Sequence, residues 1–266
     1  MSGDRSQRKG LGVSTTDLTG RVALVTGGGS GLGRATSLEL ASWGAHVLVA
    51  DIDTGGAKGT AELVAEEAGG PSAGGSAEVV ELDVTDRSQV DEVVAAASRE
   101  HGPRFDCLVN NAGTDRGADL VDVDDEHWHG VFAVNVHGPM YLSRAFVRHL
   151  QGQQQSGLAG DIVCVASISA LTVGAGAAAY NASKAALLKL TEVMQTEARE
   201  RGWPARVTAV NPAAMATPMM DQWGLAPHQM MDPAIVAGLI RTAVTLPPEV
   251  VLQSFVVTTR GESYPR

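Results

Sequence analysis

Tyr180 and Lys184 stand four residues apart in YNASK at 180–184, and on a helix that spacing puts both side chains on one face. A phenol titrates near pH ~10 in water, and a neighbouring ammonium stabilises the phenolate, so the pair reads as a proton-transfer group tuned toward a general base. Ser167 precedes Tyr180 by thirteen residues, at the end of the apolar run DIVCVASIS at 161–169. There its hydroxyl can bond and polarise a substrate oxygen, and Ser169 is placed with it on the substrate side.

A second chemistry belongs to TGGGSGLG at 26–33, which follows the short apolar run VALVTG and opens a helical stretch. Glycines at 27, 31 and 33 let the backbone turn tightly and approach a pyrophosphate, whose charge the helix N-terminus receives. Gly27, Ser30, Gly31, Leu32 and Gly33 are therefore candidate cofactor contacts. Asp51 closes the next apolar run, 20 residues beyond Gly31, where a carboxylate can accept from adenosine ribose hydroxyls and would repel a 2′-phosphate. Ser30 and Ile52 are uncharged, which favours NAD(H) over NADP(H).

The elements that must hold these residues alternate. Strands are expected at 22–27, 46–53, 78–86, 105–113, 161–169, 206–212 and 251–257, and helices at 34–43, 57–68, 87–100, 125–150 and 178–201. Near-continuous apolar strands interleaved with helices predict an α/β fold: a doubly wound, mainly parallel sheet of about seven strands, helices on both faces, in three layers. Residues 1–18 read as a flexible tail, 151–160 as a loop, and 19–266 as a single Rossmann-type domain.

TGGGSGLG, NNAG at 110–113 and YNASK, in that order, resemble the short-chain dehydrogenase/reductase family, with likeness from about residue 18 to 219. The resemblance implies a catalytic set of Asn135, Ser167, Tyr180 and Lys184. It also implies that Lys184 holds the nicotinamide ribose and that the Asn135 carbonyl holds a water relaying protons to Lys184. Asp83 and Val84 would meet adenine, Asn110, Ala112 and Gly113 would pack beside the cofactor, and Pro212, Met215 and Thr217 would meet the nicotinamide and pyrophosphate. Ala213 stands where the family usually has glycine, and beyond 219 the chain departs from the pattern, running through MDPAIVAGLI at 231–240 to VLQSFVV. A homotetramer or homodimer built through 125–150 and 178–201 is implied as well.

Met215, Met219, Met220, Met230 and Met231 gather near Trp223 and Leu225, where a short substrate lid at 217–232 is expected; Met219 and Trp223 are substrate candidates. The only Lys or Arg between Gly202 and Arg241 is Arg206, so the expected substrate is a medium-sized, mainly apolar secondary alcohol or its ketone. Epimerisation or dehydration through a transient hydride transfer, and dinucleotide sensing without chemistry, are the alternatives. With 30 Asp and Glu against 20 Lys and Arg, and no basic cluster, nucleic acid is not an expected partner. No apolar run is long enough to span a bilayer, and Cys107 and Cys164 sit in apolar runs as small hydrophobes, which fits a cytoplasmic setting. His127 and His129 are two apart, on different helix faces, and no metal is expected there.

Overall fold

The computed structural model describes residues 17–67, 74–153 and 159–261, so the expected tail, except its last two residues, lies outside the described residues, as do 154–158 of the expected loop. Seven strands form one sheet: β1 (Val22–Thr26), β2 (His46–Asp51), β3 (Ser76–Glu81), β4 (Phe105–Asn110), β5 (Gly160–Val165), β6 (Ala205–Pro212) and β7 (Ser254–Val257). Their order is β3-β2-β1-β4-β5-β6-β7 and every neighbouring pair is parallel. The helices are α1 (Gly31–Ser42), α2 (Thr54–Glu67), α3 (Arg87–His101), α4 (Asp125–Phe132), α5 (Gly138–Gly152), α6 (Ala178–Arg201) and α7 (Pro233–Val244).

Strand residues are apolar on both sides because both faces are covered. Ala23, Val25, Val47 and Val49 pack with Leu40 of α1 and Ile240 of α7, while Val22, Leu24 and Leu48 pack with Leu142, Phe146 and Leu187 from α5 and α6. Each fully buried Val or Leu contributes roughly 1.5–3 kcal/mol, so the central strands fix the sheet firmly. The chain winds from β1 outward to β3 and then crosses to β4, which opens a crevice beyond the carboxyl ends of β1 and β4.

The expected single helix at 125–150 is two. α4 ends at Phe132, a π-helical turn spans Ala133–His137, and α5 starts at Gly138 with Pro139 in its first turn. Gly138 is required there, since a Cβ would lie 2.9 Å from the Val84 side chain. The stretch 231–240, given no element by sequence pattern, enters α7: Asp232 caps it by accepting from the Ala234 N–H at 2.9 Å, and Pro233 occupies the first turn. Strands β3, β4 and β5 stop at 81, 110 and 165, short of the apolar pattern, because the chain then turns across the sheet edge. Asp124 caps α4, its carboxylate accepting from the His127 N–H at 2.7 Å. Among the described residues no helix is long and apolar enough to cross a membrane.

The amino edge of the sheet carries a buried ion network that the sequence did not announce. Arg21 donates to Asp106 at 2.8 Å and to Asp161 at 2.7 Å, and Arg206 donates to the other oxygen of Asp161 at 2.8 Å. The same guanidinium groups cap the carbonyls of Val244, Leu246, Pro247 and Val250 after α7. Burial pushes the Asp106 carboxyl up to about 6 against the pull of Arg21.

Candidate active site

At the crevice the glycine turn is pressed against its neighbours. Gly27 has a φ of 64°, and a Cβ there would lie 2.9 Å from the Cα of Ala112; a Cβ on Gly33 would lie 1.9 Å from the Gly27 carbonyl oxygen. Asn111 clamps the turn, donating from Nδ2 to the carbonyls of Thr26 at 2.9 Å and Gly27 at 3.2 Å. Asp51 ends β2 beside it and accepts from the N–H groups of Gly29 at 2.8 Å and Asp53 at 2.9 Å. Arg34 is the cation in the first turn of α1, and its guanidinium is committed to the Gly29 carbonyl and to Thr60 Oγ1.

A cavity of about 700 Å³ runs from this turn to the far side of the crevice. Gly27, Ser30, Gly31, Leu32, Asp51 and Ile52 line its first part, and Asp83, Val84, Ala112 and Gly113 its middle. Ser167, Ser169, Tyr180 and Lys184 line the far part, faced by Pro212, Met215, Thr217, Met219 and Trp223. Three residues expected at the site are not in its wall. Gly33 packs on Gly27 instead, because helix and turn meet there. Asn110 faces the opposite side of the sheet, donating to Ser143 Oγ at 2.9 Å; strand alternation gives the turn to Asn111.

Asn135 is the third, and it is fully buried in the π-helical turn. Its side chain accepts from the Thr114 N–H at 2.8 Å and donates to the Thr114 carbonyl at 2.9 Å and to Ser183 Oγ at 3.0 Å. It thereby pins the loop after β4 to α6. Gly113 touches both this amide and the lysine: a Cβ there would lie 3.4 Å from Asn135 Oδ1 and from Lys184 Nζ.

Tyr180 and Ser167 line the same part of the cavity, and Ser167 Oγ accepts from the Ser169 N–H at 3.0 Å. Lys184 is 3% exposed; its ammonium donates to the Val165 carbonyl at 2.8 Å and lies 5.6 Å from the Tyr180 ring centroid. The expected depression of the phenol is not what these contacts produce. Burial pushes Tyr180 up to about 12, with Ser167 opposing and Asp115 adding to the rise, and Lys184 sits over the ring rather than against the oxygen. The lysine itself is drawn down to about 8 by burial, against Cys164 and Asp115.

Asp115 was missed by sequence reasoning, although a carboxylate two residues beyond NNAG is a signal. It lines the cavity, Oδ2 accepts from the Trp223 indole at 3.2 Å, and Oδ1 is buried with no partner. Burial raises its pKa. Around it the 218–223 turn meets the loop after β4: Gln222 accepts from the Gly117 N–H at 3.0 Å and donates to the Asp115 carbonyl at 3.2 Å. Of the five clustered methionines, Met215, Met219 and Met220 line the cavity, whereas Met231 packs in the core. Ala213 joins that core, and its N–H bonds the Val257 carbonyl at 2.8 Å, so its methyl is accommodated by packing.

The family sequence model described as short chain dehydrogenase matches residues 21–227. The 3-oxoacyl-(acyl-carrier-protein) reductase of Thermotoga maritima is 37% identical over 205 residues, covering 77% of this chain and 78% of that protein. Among solved structures, 3-ketoacyl-(acyl-carrier-protein) reductase of Brucella melitensis complexed with NADH matches with a TM-score of 0.78 at 29% identity, over 91% of this chain and 98% of that one. An alcohol dehydrogenase of Thermococcus sibiricus complexed with 5-hydroxy-NADP shares the fold, with a TM-score of 0.80 at 20% identity over 92% of this chain and 99% of that one. The chain belongs to the short-chain dehydrogenase/reductase family, and the doubly wound parallel sheet expected from its sequence is the Rossmann-type fold of that family. It is an oxidoreductase that acts on small molecules.

Proposed function

We propose that this protein is an NAD(H)-dependent secondary alcohol dehydrogenase or ketone reductase whose proton-transfer residue is Tyr180. The observation that carries this reading is the meeting of Ser167, Tyr180 and Lys184 at one end of the cavity whose other end is the glycine turn and Asp51. The turn fits a dinucleotide. A Cβ at Gly27 or Gly29 would come within 2.9 Å of neighbouring atoms, so only glycine lets the turn pack this closely, and a carboxylate stands at the ribose end.

A bound nicotinamide supplies the hydride acceptor for oxidation and the donor for reduction. Ser167 holds the substrate oxygen, and Tyr180 Oη takes the carbinol proton in one direction and returns it in the other. Lys184 supports the phenolate and holds the nicotinamide ribose, and Asn135 is assigned the proton relay from Lys184 through its carbonyl. The preference for NAD(H) is supported by Asp51, by Ser30 and Ile52, and by the commitment of Arg34 to Gly29 and Thr60. Solved structures of this fold include a reductase complexed with NADH and an alcohol dehydrogenase complexed with an NADP derivative, so direct comparison of the two cofactors is the test.

Residues 217–232 act as the substrate lid of one domain spanning 19–266, held over the cavity by Gln222 and Trp223. Met215, Met219, Met220 and Trp223 give the substrate a mainly apolar wall, and Asp115 holds that wall in place by accepting from the Trp223 indole. A homotetramer or homodimer through α4, α5 and α6, in the cytoplasm, completes the reading; light scattering that showed only monomer would remove the oligomer. The function is tested by the rate of NADH formation with NAD⁺ across secondary alcohols of increasing size, which is expected to peak at medium, mainly apolar substrates.

A further inference from the structure

At the opposite end of the sheet from the cavity, three residues far apart in sequence come together. The β2–β3 register sets His46 opposite Ser76 and Leu48 opposite Glu78, so the alternation of parallel strands puts His46, Ser76 and Glu78 on one face. α3 crosses that face and ends on His101, whose ring centroid lies 5.3 Å from that of His46. One donor atom each from His46, Glu78 and His101 lie within 4.8 Å of one another.

We propose that His46, Glu78 and His101 bind a divalent transition-metal ion, with zinc as the best match to two imidazoles and one carboxylate. Three features argue for it beyond proximity. His46 Nδ1 is 2.7 Å from Ser76 Oγ, a contact in which the ring can donate and so present the Nε2 lone pair toward Glu78, 3.8 Å away. Glu78 supplies the anionic donor from the same sheet face as His46, at the next same-face position along the β2–β3 ladder. The side chain of Glu78 is half exposed, so it is free to swing in as the donors contract to the separation of about 3.3 Å that a tetrahedral zinc needs, with water as fourth ligand. The ion would clamp β2, β3 and α3 together, far from Tyr180, as a structural site.

The test uses the full-length protein freed of metal with a chelator and titrated with ZnCl₂ and with CoCl₂. One equivalent of Zn²⁺ is expected to bind at micromolar or lower concentration, to raise Tm in a concentration-dependent way, and to give with Co²⁺ the visible bands of a four-coordinate site. His46→Ala and His101→Gln are each expected to weaken binding at least ~10-fold, and His129→Gln, on an exposed turn of α4, to leave it unchanged. Should His46→Ala fail to fold, His101→Gln and the Co²⁺ spectrum carry the test alone. The proposal is overturned by no saturable binding, by an equal response to Mg²⁺, or by undiminished binding in His101→Gln.

Discussion

Arg21, Asp106, Asp161 and Arg206 close the amino edge of the sheet, and Lys184, Tyr180 and Asp115 lie beyond its carboxyl edge. Both groups are ionisable and taken from water. At the amino edge both oxygens of Asp161 accept from guanidinium groups and spare donors reach the carbonyls after α7. At the carboxyl edge Lys184 has one carbonyl partner, the phenol is held protonated up to about 12, and one oxygen of Asp115 has no partner. Burial displaces proton affinities at both edges, but pairing closes the first, whereas incomplete pairing leaves the second with a proton carrier lining the cavity.

If this contrast is right, substitutions at the two edges separate activity from stability. Tyr180→Phe is expected to lower kcat by about 10³-fold with little change in Tm, since it removes the proton carrier and keeps the ring; steady-state rates beside a thermal melt check both. Asp161→Ala should do the reverse, costing about 3–5 kcal/mol in urea unfolding by leaving Arg206 without a carboxylate partner and Arg21 with Asp106 alone, with kcat of the folded fraction retained. Asp51→Ala comes next. Losing the ribose carboxylate is expected to lower kcat/KM with NAD⁺ about 10–100-fold and to narrow the gap to NADP⁺.

The pH profile sharpens the same comparison. Alcohol oxidation needs the phenolate, so with the phenol pushed up to about 12 its rate should rise nearly tenfold per pH unit from acid toward pH 8. Lys184, drawn down to about 8, loses its charge above that pH and with it the support of the phenolate, so the curve should bend there. Ketone reduction uses the protonated phenol and should stay level at low pH. The smallest effect belongs to Asp115→Asn: a weaker hold on the Trp223 indole is expected to raise KM several-fold, read from steady-state rates.

How much of this was legible in the chain depends on the range of the interaction. The glycine turn, Asp51 and the Tyr180–Lys184 helix face are local patterns, and the alternating apolar runs gave the layer order of the sheet. The π-helical turn at Ala133–His137 was not legible, because it is stabilised by Asn135 bonding Thr114 and Ser183, partners 21 and 48 residues away. Asn111 stands at the turn in place of the expected Asn110, because only the termination of β4 at 110 decides which amide faces it. The displacement of Tyr180 upward was hidden for a similar reason: spacing reports that Lys184 is near, whereas burial decides which effect wins.

The central claim is that nicotinamide-linked hydride exchange occurs here with Tyr180 moving the proton. The most direct test is the initial rate of NADH formation from NAD⁺ and a graded panel of secondary alcohols, run in parallel for the natural protein and Tyr180→Phe. Turnover that depends on alcohol size and falls about 10³-fold in the variant is the predicted result. Contradiction would be NADH bound without turnover across the whole panel, or turnover that Tyr180→Phe leaves intact.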